Sequence, residues 1–546
     1  MSKVANYLNE HIAGEVITNS AVLKAFSHDA SVLSMTPEMV VYPRSTNDIR
    51  KIARFSWQLA EKGHVLAITP RGGGTDQTGA AIGSGVIVNT TAHLTSIFEL
   101  DTKQKLIRLQ PGVTFGALNS ALLLHGLHIP SYPASGNYST VGGAIANNAS
   151  GILSGKYGDT KAWVSQLEVV LASGDVLQTG RISKRELNRK KGLQTFEGEI
   201  YRGIDSLVTD NQELIEGTIA SDVRDNSGYG GIADVKRKDG SMDLTPLFVG
   251  SQGTLGVISE VIMKSEFCNS QVMVGAAAFH SYDGARDAVD TLFDLEPSIL
   301  EVIDARLFAS ALERGKKYAF YDQALEQGDV GAVVIFAFDE FSERARRKKA
   351  KKVTKLFKDK VVALEIEEDH DEAQTLLALR EVSALALLPD EKEASAPAII
   401  DGAYIPFQRF EDFASAVDAL AKKHGIEMPL YGHGLESIFY TRPILHLRKV
   451  GDKQKIFKLL DEYTTLVSAH GGHIIGEAGE GRLKASFAAK QYDADVAELF
   501  SAIRTIFDPL GTLNPGVKQS ADLKQLVSQL RTDFDTADFA GKAYFN

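Results

Sequence analysis

Two glycine-rich loops, some sixty residues apart, are the stretches of this chain most suited to holding a ligand. The first reads Pro70-Arg71-Gly72-Gly73-Gly74-Thr75-Asp76-Gln77-Thr78-Gly79, and the second Pro133-Ala134-Ser135-Gly136-Asn137-Tyr138-Ser139-Thr140-Val141-Gly142-Gly143. Consecutive glycines lack Cβ atoms, so neighbouring backbone N–H groups can turn toward one point and form an anion-binding nest. The Thr and Ser hydroxyls add donors. Two such loops, each entered from an apolar stretch, suggest one long ligand with a diphosphate and a polar ring.

The elements around these loops argue against a Rossmann unit. Its fingerprint needs G-x-G-x-x-G opening a helix, with an acidic residue about 20 positions on. The first loop instead runs from an apolar strand, Val65 to Thr69, into another, Gly85 to Val88, which ends at Asn89. Ser45-Thr46-Asn47-Asp48 predicts a capped helix with Ile49, Ile52, Ala53 and Leu59 inward, ending at Gly63. Thr114 caps a second helix that stops near Gly126, and Gln166–Leu171 with Asp175–Thr179 forms a hairpin. Leu247–Ile262 reads as a glycine-punctuated strand pattern. After Ser265 a new pattern begins, with strands at Val272–Phe279, Leu300–Asp304, Gly331–Phe338, Ala398–Tyr404 and His473–Ile475, and a helix at Asp283–Leu292. The fold class is α+β.

Pro70-Arg71-Gly72-Gly73-Gly74-Thr75, the run from Pro133 to Gly151, Lys156-Tyr157-Gly158-Asp159 and Val249 to Gly256 together resemble the FAD-binding domain of the vanillyl-alcohol-oxidase (PCMH-type) flavoproteins. Gly432-His433, Gly476 to Lys484 and Phe507 to Gly516 extend the resemblance to the D-lactate, glycolate and D-2-hydroxyglutarate dehydrogenase branch. The resemblance implies an FAD domain over 1–265, a cap or substrate domain over 266–506, and a segment over 507–546 that packs back on the FAD domain. It also implies FAD contacts at Arg71, Gly72, Gly73, Gly74, Thr75, Asp76, Pro133, Ser135, Gly136, Thr140, Gly142, Gly143, Asn147, Ser150, Gly151, Tyr157, Gly253, Val257, Ile258 and Asn514. The first loop holds no histidine, which implies non-covalent FAD. The implied reaction is oxidation of a small D-2-hydroxy acid, with Arg380 on the substrate carboxylate.

Two positions depart from the family pattern. Where a second metal-ligating histidine belongs stands Tyr440, a poor zinc ligand because its ordinary pKa is about 10. Where the general-base histidine belongs stands Ala478, which leaves His433, His473, Glu477 and Tyr440 as alternative bases. Zn2+ or another divalent ion at His433 is the second cofactor considered. The alternative reading is an FAD-binding homologue with an altered substrate, or a non-catalytic flavoprotein subunit.

The bulk properties set outer bounds. A chain of 546 residues with net charge -11 exceeds one ordinary domain and does not suit general nucleic-acid binding. A lone cysteine, Cys268, offers no internal disulfide and suits a reducing compartment. Residues 1–15 lack the apolar core of a signal peptide. The expected location is cytoplasmic, with peripheral contact at the inner face of the membrane as the one extension. The basic run Arg344–Lys358 reads first as a solvated helix face and second as a surface for anionic lipid or an acidic carrier protein. The electron acceptor (quinone, carrier protein or oxygen) and the oligomeric state stay open.

Overall fold

Ser45 accepts a hydrogen bond from the Asp48 backbone N–H and starts a helix over Thr46–Ala60, which buries Ile49, Ile52 and Ala53. That face packs against the apolar side of a four-stranded sheet, whose order is Glu15–Ile17, Met39–Tyr42, Val86–Asn89, Ile68–Arg71. Its last three strands are parallel, and Val86–Asn89, enclosed between two neighbours, is buried along its length. The strand entering the first glycine loop spans Ile68–Arg71, three residues later than its apolar stretch predicts. Leu513 pairs alongside Ile68 and seals this core from the C-terminal side.

These features come from a computed structural model, which describes residues 2–219, 223–313, 315–385 and 396–531. The chain forms two compact units. The first comprises Met1–Ala149, Thr160–Glu266 and Ala478–Arg531, and the second Ser150–Asp159 and Phe267–Glu477; residues 532–546 lie outside the described residues. The C-terminal contribution to the first unit thus begins at Ala478, whereas the sequence reading began it at 507.

A second, five-stranded antiparallel sheet of the first unit runs in the order Ile97–Asp101, Leu106–Leu109, Val257–Lys264, Val164–Val170, Val176–Gln178. The expected strand pattern over Leu247–Ile262 is corrected: Thr245–Phe248 is a short helix, and the strand starts only at Val257. Pro246 suits the first turn of a helix and has no N–H for a sheet ladder.

The second unit holds a seven-stranded antiparallel sheet, ordered Ala363–Glu367, Met273–Phe279, Ala332–Phe338, Ile299–Asp304, Tyr431–His433, Ile438–Tyr440, Ala403–Tyr404. Met273–Phe279 and Ala332–Phe338 are buried on both faces, which accounts for their continuous apolar runs. Two expected strands shrink. Of Ala398–Tyr404 only the last two residues pair, and of His473–Ile475 only His473 does, through reciprocal backbone bonds with Tyr404 at the sheet edge. The basic run folds as the helix Glu343–Phe357, capped by Ser342 and packed through Arg346, Val353 and Phe357. Among the described residues no helix is long and apolar enough to cross a membrane.

Candidate active site

In the first unit the glycine loop leaves its strand at Arg71. The Arg71 guanidinium donates to the carbonyls of Ala81 (3.1 Å) and His28 (3.0 Å) and stacks on Phe26. Asp76 closes the other side, accepting from the N–H groups of Thr78 (2.9 Å) and Ala80 (2.8 Å). Asp29 accepts from the Ala81 N–H and from the Ser31 hydroxyl. Burial, reinforced by the nearby Asp76 charge, raises its pKa to about 7. Gly74, at φ +74°, takes the backbone conformation that lets the chain reverse, and Thr75 follows it, half-buried.

The first loop lies flat on the second. A Cβ on Gly72 would stand 2.1 Å from Thr140 Oγ1, and one on Gly73 would stand 2.3 Å from the Tyr138 carbonyl. A Cβ on Gly142 would stand 2.6 Å from the Pro111 Cβ. Pro133 and Ser135 turn the second loop through carbonyls that accept from Gly136 and from Tyr138 and Ser139. Thr140 then caps the helix Val141–Asn147, its hydroxyl accepting from the Gly143 N–H. Gly253, at φ +73°, faces the Pro70 ring, and Val257 and Ile258 begin the strand beyond it.

One polar side chain missed by sequence reasoning ties these pieces together. Gln252 donates to Thr78 Oγ1 (3.2 Å) and Asn147 Oδ1 (2.8 Å) and accepts from the Gly481 N–H (2.9 Å). Asn147 also donates to Asp76, and Asn514 donates to the carbonyls of Ala80 and Gln252. Arg482, whose pKa burial lowers to about 10, donates to Ile82 O and Asn514 Oδ1. Four stretches distant in sequence therefore meet through Gln252, Asn147, Asp76 and Asn514. Only the Ser-Gln between two glycines hinted at Gln252.

This unit fits FAD. The first loop presents only glycine backbone where it meets the second, and the Ser139 hydroxyl is buried with no hydrogen-bond partner among the described residues. Such a group carries a desolvation cost that a polar ligand atom removes. Ser150, Gly151 and Tyr157 belong to the second unit. The Ser150 hydroxyl is likewise buried without a partner among the described residues. The Gly151 N–H donates to Ser154, and the Tyr157 hydroxyl donates to Asp339 Oδ2 at 2.6 Å, alongside the Lys156–Asp339 ion pair.

The second unit gathers most of the proton-bearing candidates on adjacent strands. Register sets His433 opposite Glu301 on one side and Ile438 on the other, with Tyr431 opposite Tyr440. His433 Nδ1 lies 2.6 Å from Glu301 Oε1. Burial alone would lower the His433 pKa, but the charges of Glu301, Glu436 and Glu477 outweigh it and raise it to about 9. The Tyr440 hydroxyl donates to Glu477 Oε2, and burial with that carboxylate holds the phenol well above its ordinary range. The Tyr440 ring stacks on Tyr431 (5.1 Å) and meets His433 edge-on (5.4 Å). Glu301 and the buried Arg442–Asp401 pair are further residues that sequence reasoning missed. His473 is half-buried beside Tyr404, as the strand bridge requires. Arg380 lies on a short turn, Ala378–Glu381; its side chain makes no hydrogen bond or ion pair among the described residues, and its Nε is buried. Ala478, at φ +55°, has no proton to exchange.

Residues 37–180 match an FAD binding domain and residues 269–517 the C-terminal domain of FAD linked oxidases. The chain belongs to the FAD-linked oxidases, with FAD as its cofactor. Its fold is that of p-cresol methylhydroxylase, with a TM-score of 0.70 at 14% identity over 96% of this chain and 97% of that one. Within the family it is 26% identical to the D-2-hydroxyglutarate dehydrogenase of Haemophilus influenzae, over 97% of this chain and 54% of that protein. It is 27% identical to the D-lactate dehydrogenase of Archaeoglobus fulgidus, over 88% of this chain and 90% of that protein. The chain spans about half the length of that D-2-hydroxyglutarate dehydrogenase and of three others that it matches.

Proposed function

We propose that this chain is an FAD-dependent oxidoreductase that oxidises a small D-2-hydroxy acid, D-lactate-like, to the 2-oxo acid. The observation that carries the reading is the pairing of an FAD-binding domain with the C-terminal domain of FAD linked oxidases in one chain. The names of the relatives support the substrate class. The residues that hold FAD, without a covalent bond, are Gly72 to Thr75, Ser135, Gly136, Thr140 to Gly143, Gly253 and Asn514. When bound, FAD takes up the substrate's α-hydrogen as hydride. Arg380, whose Nε is buried with no hydrogen-bond partner among the described residues, binds the substrate carboxylate through two parallel hydrogen bonds. The hydroxyl proton goes to a group of the Glu301–His433 and Tyr440–Glu477 set. A quinone, a carrier protein or oxygen reoxidises the flavin.

Ala478 favours a second reading, an FAD-binding subunit with another substrate or without catalysis. An anaerobic titration of the holoprotein with D-lactate, D-2-hydroxyglutarate and glycolate separates the two. Bleaching of the visible flavin band by one of them supports the oxidoreductase; an unchanged band with all three supports the second reading.

A further inference from the structure

The resemblance implies a divalent ion shared between His433 and a second histidine at the position of Tyr440. The side chains present do not fit one. A zinc-class site takes at least three protein ligands, and among the described residues no group of three His, Cys, Asp or Glu side chains is placed to hold a metal. Tyr440 binds such an ion only after losing its phenolic proton, and that proton is already directed at Glu477 Oε2. The phenol and the carboxylate therefore occupy each other.

The same contacts prepare Glu477 for another task. Its Oε2 accepts from Tyr440, and its Oε1 makes no hydrogen bond among the described residues. The Glu477 backbone N–H is anchored to the Gly402 carbonyl at 3.0 Å. Stacking on Tyr431 and the edge contact with His433 fix the Tyr440 ring. The carboxylate is therefore held at its backbone and at one oxygen, with the other oxygen open.

We propose that this site works without a metal ion, with Glu477 as the base for the substrate hydroxyl and Tyr440 as the residue that positions it in place of a metal ligand. The proposal rests on the hydroxy-acid reading above. In the step, the substrate O–H bond breaks and its proton passes to Glu477 Oε1. The α-hydrogen leaves with its electron pair, the carbonyl forms, and FAD is the two-electron oxidant. Ala478, in the base's usual place, is then no obstacle, because the preceding residue carries the proton.

The test begins with the metal content of holoprotein expressed in medium supplemented with zinc and manganese. The expected result is fewer than about 0.1 metal ions per flavin, against roughly one in Tyr440→His, which adds an imidazole beside His433 and Glu477. One metal ion per flavin in the natural chain, or none in either protein, would overturn the proposal. This readout is independent of turnover, so it stands even where no hydroxy acid bleaches the flavin and the functional reading itself fails. Where bleaching occurs, Glu477→Gln is expected to keep its FAD and lose about 100-fold or more in reduction rate. Tyr440→Phe keeps the ring and removes the donor, so the acid limb of the rate profile moves to higher pH. Reduction of Glu477→Gln at the natural rate, or an unmoved limb in Tyr440→Phe, would overturn the assignment.

Discussion

The two polar clusters of this molecule are built on opposite plans. Around the glycine loops, Asp76, Asn147, Gln252 and Asn514 spend most of their hydrogen bonds on backbone groups or on one another. In the second unit the bonds run between titratable side chains, Glu301 to His433 and Glu477 to Tyr440, and the Arg380 Nε has no partner among the described residues. The first plan fixes a shape; the second stores protons. A cofactor that stays bound needs the former, and a substrate that comes and goes needs the latter.

The comparison breaks most visibly at Gly72. Gly72→Val places carbon atoms where Thr140 Oγ1 already lies, at 2.1 Å from the new Cβ. The variant is expected to purify with its flavin-to-protein absorbance ratio reduced about tenfold or more, since overpacking two apposed loops costs on the order of 1–3 kcal/mol. Gly451→Val, where an added Cβ meets nothing within 4 Å, is the control and keeps its flavin. Removing the hub side chain has a smaller effect. Gln252→Ala loses the bonds to Thr78, Asn147 and Gly481, and FAD titration of the apoprotein should show affinity weaker by about tenfold, or roughly 1.4 kcal/mol.

The smallest effect falls in the second cluster and depends on pH. His433 has its pKa raised to about 9, so the stability it contributes is complete below its ordinary value of about 6.5 and is lost as pH rises through about 9. Glu301→Gln removes the main opposing charge. Its melting temperature is expected to lie a few degrees below that of the natural chain at pH 6.5 and to approach it by pH 10. A constant gap across that range would show that His433 gains nothing from the Glu301 charge.

Much of this was legible along the chain because it is local. The Ser45 and Thr114 caps, the helix of the basic run and both glycine loops are written in neighbouring residues, and the structure has them in place. What was not legible depends on pairing between distant segments. Whether Ala398–Tyr404 extends as a strand depends on how far Ile438–Tyr440 runs beside it, and only Ala403 and Tyr404 find partners there. Gln252 looks like any polar loop residue until Thr78, Asn147 and Gly481 are brought around it. Tyr440 and Ala478 read as losses in sequence, because the carboxylate that Tyr440 holds lies 37 positions away.

The most direct measurement compares the natural holoprotein with Arg380→Ala, recording the flavin spectrum of each before and after anaerobic addition of the D-2-hydroxy acid. Division of labour between the clusters predicts equal flavin content in both proteins, with bleaching in the natural chain and little or none in the variant at the same acid concentration. Equal bleaching in the two, or loss of flavin from Arg380→Ala, would contradict it.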